Sequence, residues 1–376
     1  MRPSATDSIE TLRRQAVRRE AAAAAEAAAL QTREVLRQER AVIAATYERD
    51  LSGRWHRRGE IVVAADQPGA AEAAQKLGLK EIRREVLPAA GLTLHTFAAP
   101  AGMKTEAAFL ALKAARPDDA VDLNFVYVFQ AVRTSHVHPL VHADPGAGAA
   151  GRLAAVIDTA LPEGAPALAG VALRARRFGP GVGRPSDHAL AVAAVLADTA
   201  GRDGLVLLAA DVSEPGPLPG ASATAIAQAL DWTASYRVQV INISLAGPPN
   251  AAIAAVVRRI AARGVVIVAA AGNGGPRATA PFPAALPEVL GVTAVDSRLR
   301  IWRRATQGSH VDFAAPGVKI RAAGGEWTGT SLAAPVVTGL LLRPGVTPAS
   351  LAHRARDLGD PGRDPVFGHG YVASRE

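Results

Sequence analysis

Five short runs of nearly continuous apolar residues limit what this chain can become: Leu153 to Ile157, Leu205 to Ala210, Val238 to Ile243, Val265 to Ala270 and Val289 to Ala294. A half-exposed strand alternates apolar and polar residues, whereas one covered on both faces does not, so these runs read as buried parallel strands. Helical patterns separate them, at His188 to Leu196, Ala221 to Ala234 and Asn250 to Arg263. Strand and helix in alternation give an α/β fold, a parallel sheet with helices on both faces. Hydrophobic residues make up 49% of the 376, many of them Ala, and aromatics only 4%, which suits helices packed closely on a sheet.

In such sheets reactive groups gather beyond the carboxyl ends of the strands. Asp158 closes the run Leu153 to Ile157, His188 opens a helix, and Asn273 follows Val265 to Ala270 within Ala-Gly-Asn-Gly-Gly. Ser331 follows Gly329 and Thr330 and opens an apolar run that includes Pro335. With Pro335 in the first helical turn, where its missing N–H costs nothing, Ser331 sits at a helix N-terminus with an exposed Oγ and orphan N–H groups beside it. That setting suits a hydroxyl nucleophile in acyl transfer, and it equally suits a plain serine cap. Singly, Asp158 also reads as a turn former, His188 as a cap neighbour and Asn273 as a left-handed loop residue. Their joint occurrence in the order Asp, His, Asn, Ser, each at an element boundary, favours a shared site.

The segments carrying these residues resemble the subtilisin-like serine peptidases, the subtilases. The resemblance rests on Val156-Ile157-Asp158, Val240 to Leu245, Ala269 to Asn273, Val311 to Gly317 and above all Gly329-Thr330-Ser331-Leu332-Ala333-Ala334-Pro335, and it runs from about Leu153 to Tyr371. The chain order Asp, His, Ser is that of subtilisin and comes with the resemblance. It implies Ser331 as nucleophile, His188 as general base and acid, Asp158 holding the imidazole, and the Asn273 side chain with the Ser331 N–H as oxyanion hole. It also implies that Ser244, Leu245, Ala246 and Gly247 form the edge to which a polypeptide substrate adds as a strand. Ala270, Ala271 and Gly272 then line the pocket beside it. One block departs from the family: after His188 come Ala189 and Leu190 where Gly-Thr is usual, which bears on how the ring is placed. His310, ahead of a strand at Val311 to Ala314, reads as structural.

The N-terminal half carries its own pattern. Residues 8 to 50 read as helix, within an extension covering 1–57. Glu60 to Ala65, Gly69 to Leu77, Ile82 to Leu87, Leu92 to Ala98, Lys104 to Ala115 and Val121 to Val128 then read β-α-β-β-α-β, a ferredoxin-like α+β arrangement over 58–130. By resemblance this is the propeptide, an intramolecular inhibitor whose tail threads the active-site cleft. Self-cleavage then falls between about Tyr127 and Gly151; residues 131–151 form the linker and processing region, and the peptidase domain is 152–376.

The net charge of +8 is mostly Arg without a clustered stripe or interleaved aromatics, so no nucleic-acid partner is expected. The absence of Cys excludes disulfides and a Cys nucleophile. No apolar stretch spans a bilayer, and no dense Asp/Asn loop has metal-ligand spacing, so neither a metal nor another cofactor is expected. Because family members are mostly exported, a secreted or periplasmic location is expected. The leading expectation is a serine endopeptidase made as a self-inhibited zymogen. The alternative is a catalytically silent subtilase-fold protein whose cleft binds peptides.

Overall fold

The computed structural model describes residues 37–373 apart from 130–131, 137–150, 182, 184, 215–217 and 219. The chain divides into two compact units, residues 1–48 with 216–218, and the remainder. Most of the helix expected over 8 to 50 lies outside the described residues. Its end, α1 (37–46), stops short of the expectation, because Tyr47–Arg49 form a strand, β1. The β-branched and aromatic residues Val42, Ile43, Thr46 and Tyr47 are poor helix formers and account for the early stop.

The second unit opens with β2 (Trp55–Ala65), α2 (Ala70–Lys76), β3 (Lys80–Leu87), β4 (Leu92–Ala98), α3 (Thr105–Ala115) and β5 (Ala120–Phe129). Their sheet is antiparallel in the order β5-β2-β4-β3. Alternation along β2 divides its faces: Ile61 and Val63 pack with Ala74 and Leu112 of α2 and α3, whereas Val62 and Ala64 face the rest of the unit. After β6 (Val132–His136) the chain enters β7 (Arg152–Asp158), β8 (Ala172–Arg177), α4 (Asp187–Ala200) and β9 (Leu205–Asp211). Then come β10 (Ala221–Ser222), α5 (Ala223–Ser235), β11 (Val240–Ile243), β12 (Leu245–Ala246), α6 (Ala251–Ala261), β13 (Val266–Ala270) and β14 (Val289–Val295). Last are β15 (Phe313–Pro316), β16 (Ile320–Ala322), β17 (Gly325–Thr328), α7 (Thr330–Leu341) and α8 (Pro348–Arg354).

The large sheet is parallel throughout, in the order β15-β14-β13-β11-β7-β9-β8. The five apolar runs are its interior strands, and β8 and β15 form the edges. Ala154 and Val156 of β7 pack under α4 and α7, while Ala155 and Ile157 pack under α5 and α6. Double coverage is therefore why these runs carry so little polar alternation.

β5 belongs to two neighbourhoods. Its first half closes the antiparallel sheet on β2, whereas Val126 and Tyr127 pair with β10 and Val128 and Phe129 pair with β12. It also serves the helix ends nearby. Asn124 Oδ1 accepts from Thr224 N (3.2 Å) in the first turn of α5, and Asp122 Oδ2 accepts from Ala251 N (2.8 Å) in the first turn of α6. Both helix starts carry orphan N–H groups and a positive dipole end, which these oxygens satisfy. Asn250, the cap of α6, returns a bond from Nδ2 to Leu123 O at 2.9 Å.

Candidate active site

The carboxyl ends of β7 and β13 and the starts of α4 and α7 bring Asp158, His188 and Ser331 together. His188 Nδ1 lies 3.1 Å from Asp158 Oδ1 and 3.0 Å from Oδ2, and His188 Nε2 lies 3.2 Å from Ser331 Oγ. Asp158 is fully buried and also accepts from Thr159 N at 2.7 Å. His188 is in the first turn of α4, whose cap Ser186 accepts from Ala189 N (3.1 Å) and hydrogen-bonds the Thr159 hydroxyl. The helix that presents the imidazole is thus tied to the residue beside the carboxylate. Ala189 is fully buried, and with it in place of Gly the ring still reaches both partners. The Trp327 and Phe129 rings each lie 6.3 Å from the imidazole, centroid to centroid.

Two expectations about Ser331 need correction. Its side chain is fully buried. Nor is Pro335 in the first turn. With Gly329 as cap and Thr330 the first helical residue, Pro335 lies inside α7, where its missing N–H deprives the Ser331 carbonyl of its helical partner. Ser244 supplies the replacement, its hydroxyl donating to Ser331 O at 3.1 Å. Asn242 Nδ2 donates to Ser244 Oγ (2.8 Å), and the Thr338 hydroxyl lies 3.1 Å from Asn242 Oδ1. The four residues form a buried polar chain from the sheet floor to the backbone of Ser331. Asn242 and Thr338 were missed in the sequence. The one available signal was an amide inside the otherwise apolar Val240 to Ile243, since a buried polar group there demands a partner.

Asn273 is oriented through its oxygen. Oδ1 accepts from Thr330 N (3.1 Å) and the Thr330 hydroxyl (2.8 Å), so its Nδ2 is turned to the opposite side of the amide. Ala270, Ala271 and Gly272 are the buried lead-in: Gly272 N donates to Thr330 Oγ1 (3.2 Å), and Ala271 O accepts from His310 Nε2 (3.0 Å). Burial lowers the His310 pKa, with partial opposition from its bond to Ala271 and from Asp312. Neutral His310 therefore braces the loop that carries Asn273.

Of the segment Ser244 to Gly247, Leu245 and Ala246 pair antiparallel with β5, whereas Ser244 turns inward. Gly247 exchanges backbone bonds with Phe282 (3.0 and 2.9 Å). Its missing side chain leaves space for Tyr127, since a Cβ at Gly247 would lie 2.4 Å from Tyr127 Cδ1. Tyr127 is fully buried and donates its hydroxyl to Pro248 O at 2.7 Å. Among the described residues, no group of three or more His, Asp or Glu could hold a metal, and no helix is long and apolar enough to cross a membrane.

Comparison with known proteins fits this geometry. A subtilisin of Bacillus pumilus is 37% identical over 123 residues, covering 30% of this chain and 45% of that protein. The minor extracellular protease Epr of Bacillus subtilis (strain 168) is 32% identical over 160 residues, covering 39% and 25%. The chain thus spans less than half the length of these curated relatives. Among solved structures, fervidolysin from Fervidobacterium pennivorans, a keratinolytic enzyme related to subtilisin, superposes with a TM-score of 0.68 at 19% identity. That likeness of fold covers 88% of this chain, more than residues 152–376 can supply, and 62% of fervidolysin. A lanthipeptide protease gives a TM-score of 0.50 at 23% identity over 59% of this chain and 85% of that one. The model of the subtilase family matches residues 180–370, a stretch that includes His188, Asn273 and Ser331, and the chain belongs to that family.

Proposed function

We propose that this chain is a serine endopeptidase made as a self-inhibited zymogen. The observation that carries the reading is the unbroken path of 3.0–3.2 Å contacts from Asp158 through His188 to Ser331. Ser331 Oγ attacks the scissile carbonyl carbon as its proton passes to His188 Nε2. Asp158 accepts from Nδ1–H, fixing the tautomer and stabilising the imidazolium. The developing oxyanion is met by Asn273 Nδ2 and the Ser331 N–H. Collapse breaks the C–N bond, the leaving amine takes the proton from His188, and water then hydrolyses the Ser331 ester by the same route. These steps use side chains and backbone alone. The substrate is a polypeptide whose N-terminal half adds to β12, with Ala270, Ala271 and Gly272 beside it.

Residues 58–130 act as the inhibitor. β5 lies where a substrate strand would, its Tyr127 seated against Gly247 and its Asn124 and Asp122 capping α5 and α6. Pairing with β12 ends at Phe129 and pairing with β17 begins at Val132, so self-cleavage falls between those two residues. His188 reaches both partners despite Ala189 and Leu190, so that departure lends no support to a catalytically silent, peptide-binding reading. The Epr relative is named extracellular, and the same location is proposed here. The test is intact mass against time with fluorophosphonate labelling. Wild type should divide near residue 130 and take the label at Ser331, and Ser331→Ala should do neither; a wild type that does neither refutes the reading.

A further inference from the structure

We infer that the loop between β14 and β15, through Thr306 and His310, positions Asn273, so that both are positioning residues that act through the oxyanion hole. The inference rests on the peptidase reading for what Asn273 does, but the hold on its loop is visible in the hydrogen bonds. Donors aimed in advance at a developing charge stabilise it most, because they need no reorganisation during the reaction. Asn273 stands in Ala-Gly-Asn-Gly-Gly, where Gly272 has a φ of +107°. Glycines open many backbone conformations, so neighbours rather than local sequence must hold this loop in one of them.

Four bonds tie the loop to residues 304–310, and they flank Asn273 on both sides. Before it, His310 Nε2 donates to Ala271 O (3.0 Å) and Thr306 N donates to Gly272 O (2.9 Å). After it, Gly274 N donates to Thr306 Oγ1 (3.3 Å) and Gly275 N donates to Arg304 O (2.9 Å). Thr306 thus clasps both neighbours of Asn273, one with its amide and one with its hydroxyl. The approach is close, since a Cβ on Gly272 would lie 2.8 Å from Thr306 Oγ1 and 2.8 Å from Pro281 Cγ. Thr306 and His310 are buried, and His310 Nδ1 has no partner among the described residues, so the imidazole's hydrogen bonding serves the loop alone. On the other side, Thr330 donates to Asn273 Oδ1 and accepts from Gly272 N. Thr330 therefore sets the rotation of the amide, and residues 304–310 set the backbone from which it hangs. A displacement of about 1 Å in that backbone would carry Nδ2 off the developing charge, and misplacement of that size can cost about a hundredfold in rate.

The test compares Thr306→Val, which keeps the shape and removes the hydroxyl, and His310→Leu, with Thr306→Ser and His310→Gln as their conservative counterparts. The substrate is an internally quenched peptide copying residues 124–136. Loss of one such bond should lower kcat by roughly three- to tenfold with KM changed by less than about twofold. The conservative variants should stay within about twofold of wild type. Added to Asn273→Ala, Thr306→Val and His310→Leu should lower kcat by less than about twofold, because the group they position is gone. Unchanged kcat in both single variants, or an equal loss with and without Asn273, overturns the inference. A second readout needs no catalysis: hydrogen exchange in full-length Ser331→Ala, with and without Thr306→Val. Protection at Gly274 and Gly275 should fall by about threefold or more while β7 and β11 stay protected as before. Unchanged protection at those glycines, or loss throughout the sheet, overturns the inference whatever the activity. If no variant cuts the peptide but protection falls locally, the hold on the loop stands and the peptidase reading fails.

Discussion

Gly247→Ala isolates the seat of Tyr127 from the reacting groups. The backbone at Gly247 lies outside the left-handed region, so alanine is conformationally acceptable there. The obstacle is the ring, because the new Cβ would stand 2.4, 2.7 and 2.8 Å from Tyr127 Cδ1, Cγ and Cε1. Carbon contacts settle near 3.5–4.0 Å, so the ring must withdraw by about 1 Å or more. Overpacking of this kind costs about 1–3 kcal/mol. Withdrawal also breaks the 2.7 Å bond from the Tyr127 hydroxyl to Pro248 O, worth about 0.5–1.5 kcal/mol. Together these give about 1.5–4.5 kcal/mol, or roughly tenfold to a thousandfold in affinity. The assay is inhibition of the self-processed protein by a peptide copying residues 124–130, alongside the same peptide with Ala at the Tyr127 position. Gly247→Ala should raise the inhibition constant of the first by that factor and change the second by less than about threefold. Equal changes for both peptides, or no change for either, would refute the steric account.

Three further outcomes are expected. Asn242→Ala takes the buried donor from Ser244 Oγ and one of the two acceptors beside the Thr338 hydroxyl, and stability measured by urea unfolding should fall by about 1–3 kcal/mol with the fold retained. Asn273→Ala should lower kcat with little change in KM; removing the corresponding donor costs about 10²–10³ in subtilisin itself, a family relative, and the same range should appear in peptide hydrolysis. His310 has its pKa lowered by burial, so its neutral form belongs to the folded state. Its contribution is complete above about pH 6.5 and is lost as pH falls through the lowered value. His310→Gln keeps an N–H for Ala271 O, and its thermal midpoint should drop less than that of wild type between about pH 7.5 and about pH 5.5.

The interior of the parallel sheet was legible because strands covered on both faces leave a continuous apolar run. Its edges were not: β8 reads Ala-Leu-Arg-Ala-Arg-Arg and is largely exposed, so solvent rather than core selected its side chains. Strands of two residues, β10 and β12, exist only through their pairing with β5, and no local pattern announces them. Asp158, His188, Asn273 and Ser331 could be picked out because each ends or begins a recognisable element. Pro335 was placed a turn too early because the helix start is fixed by Asn273 and Gly329, far apart in the chain, rather than by the proline. The same long-range dependence hid Asn242 and Thr338, which look like ordinary strand and helix residues until their partners are seen.

The double allegiance of β5 has a mechanical consequence. As long as the chain is whole, one ribbon of backbone stitches the antiparallel sheet to the short strands β10 and β12, and neither can be pulled away without unpicking rungs. A single cut beyond Phe129 would remove none of those rungs. It would only turn a tether into a guest, so under the zymogen proposal the slow event in activation is departure rather than bond breaking.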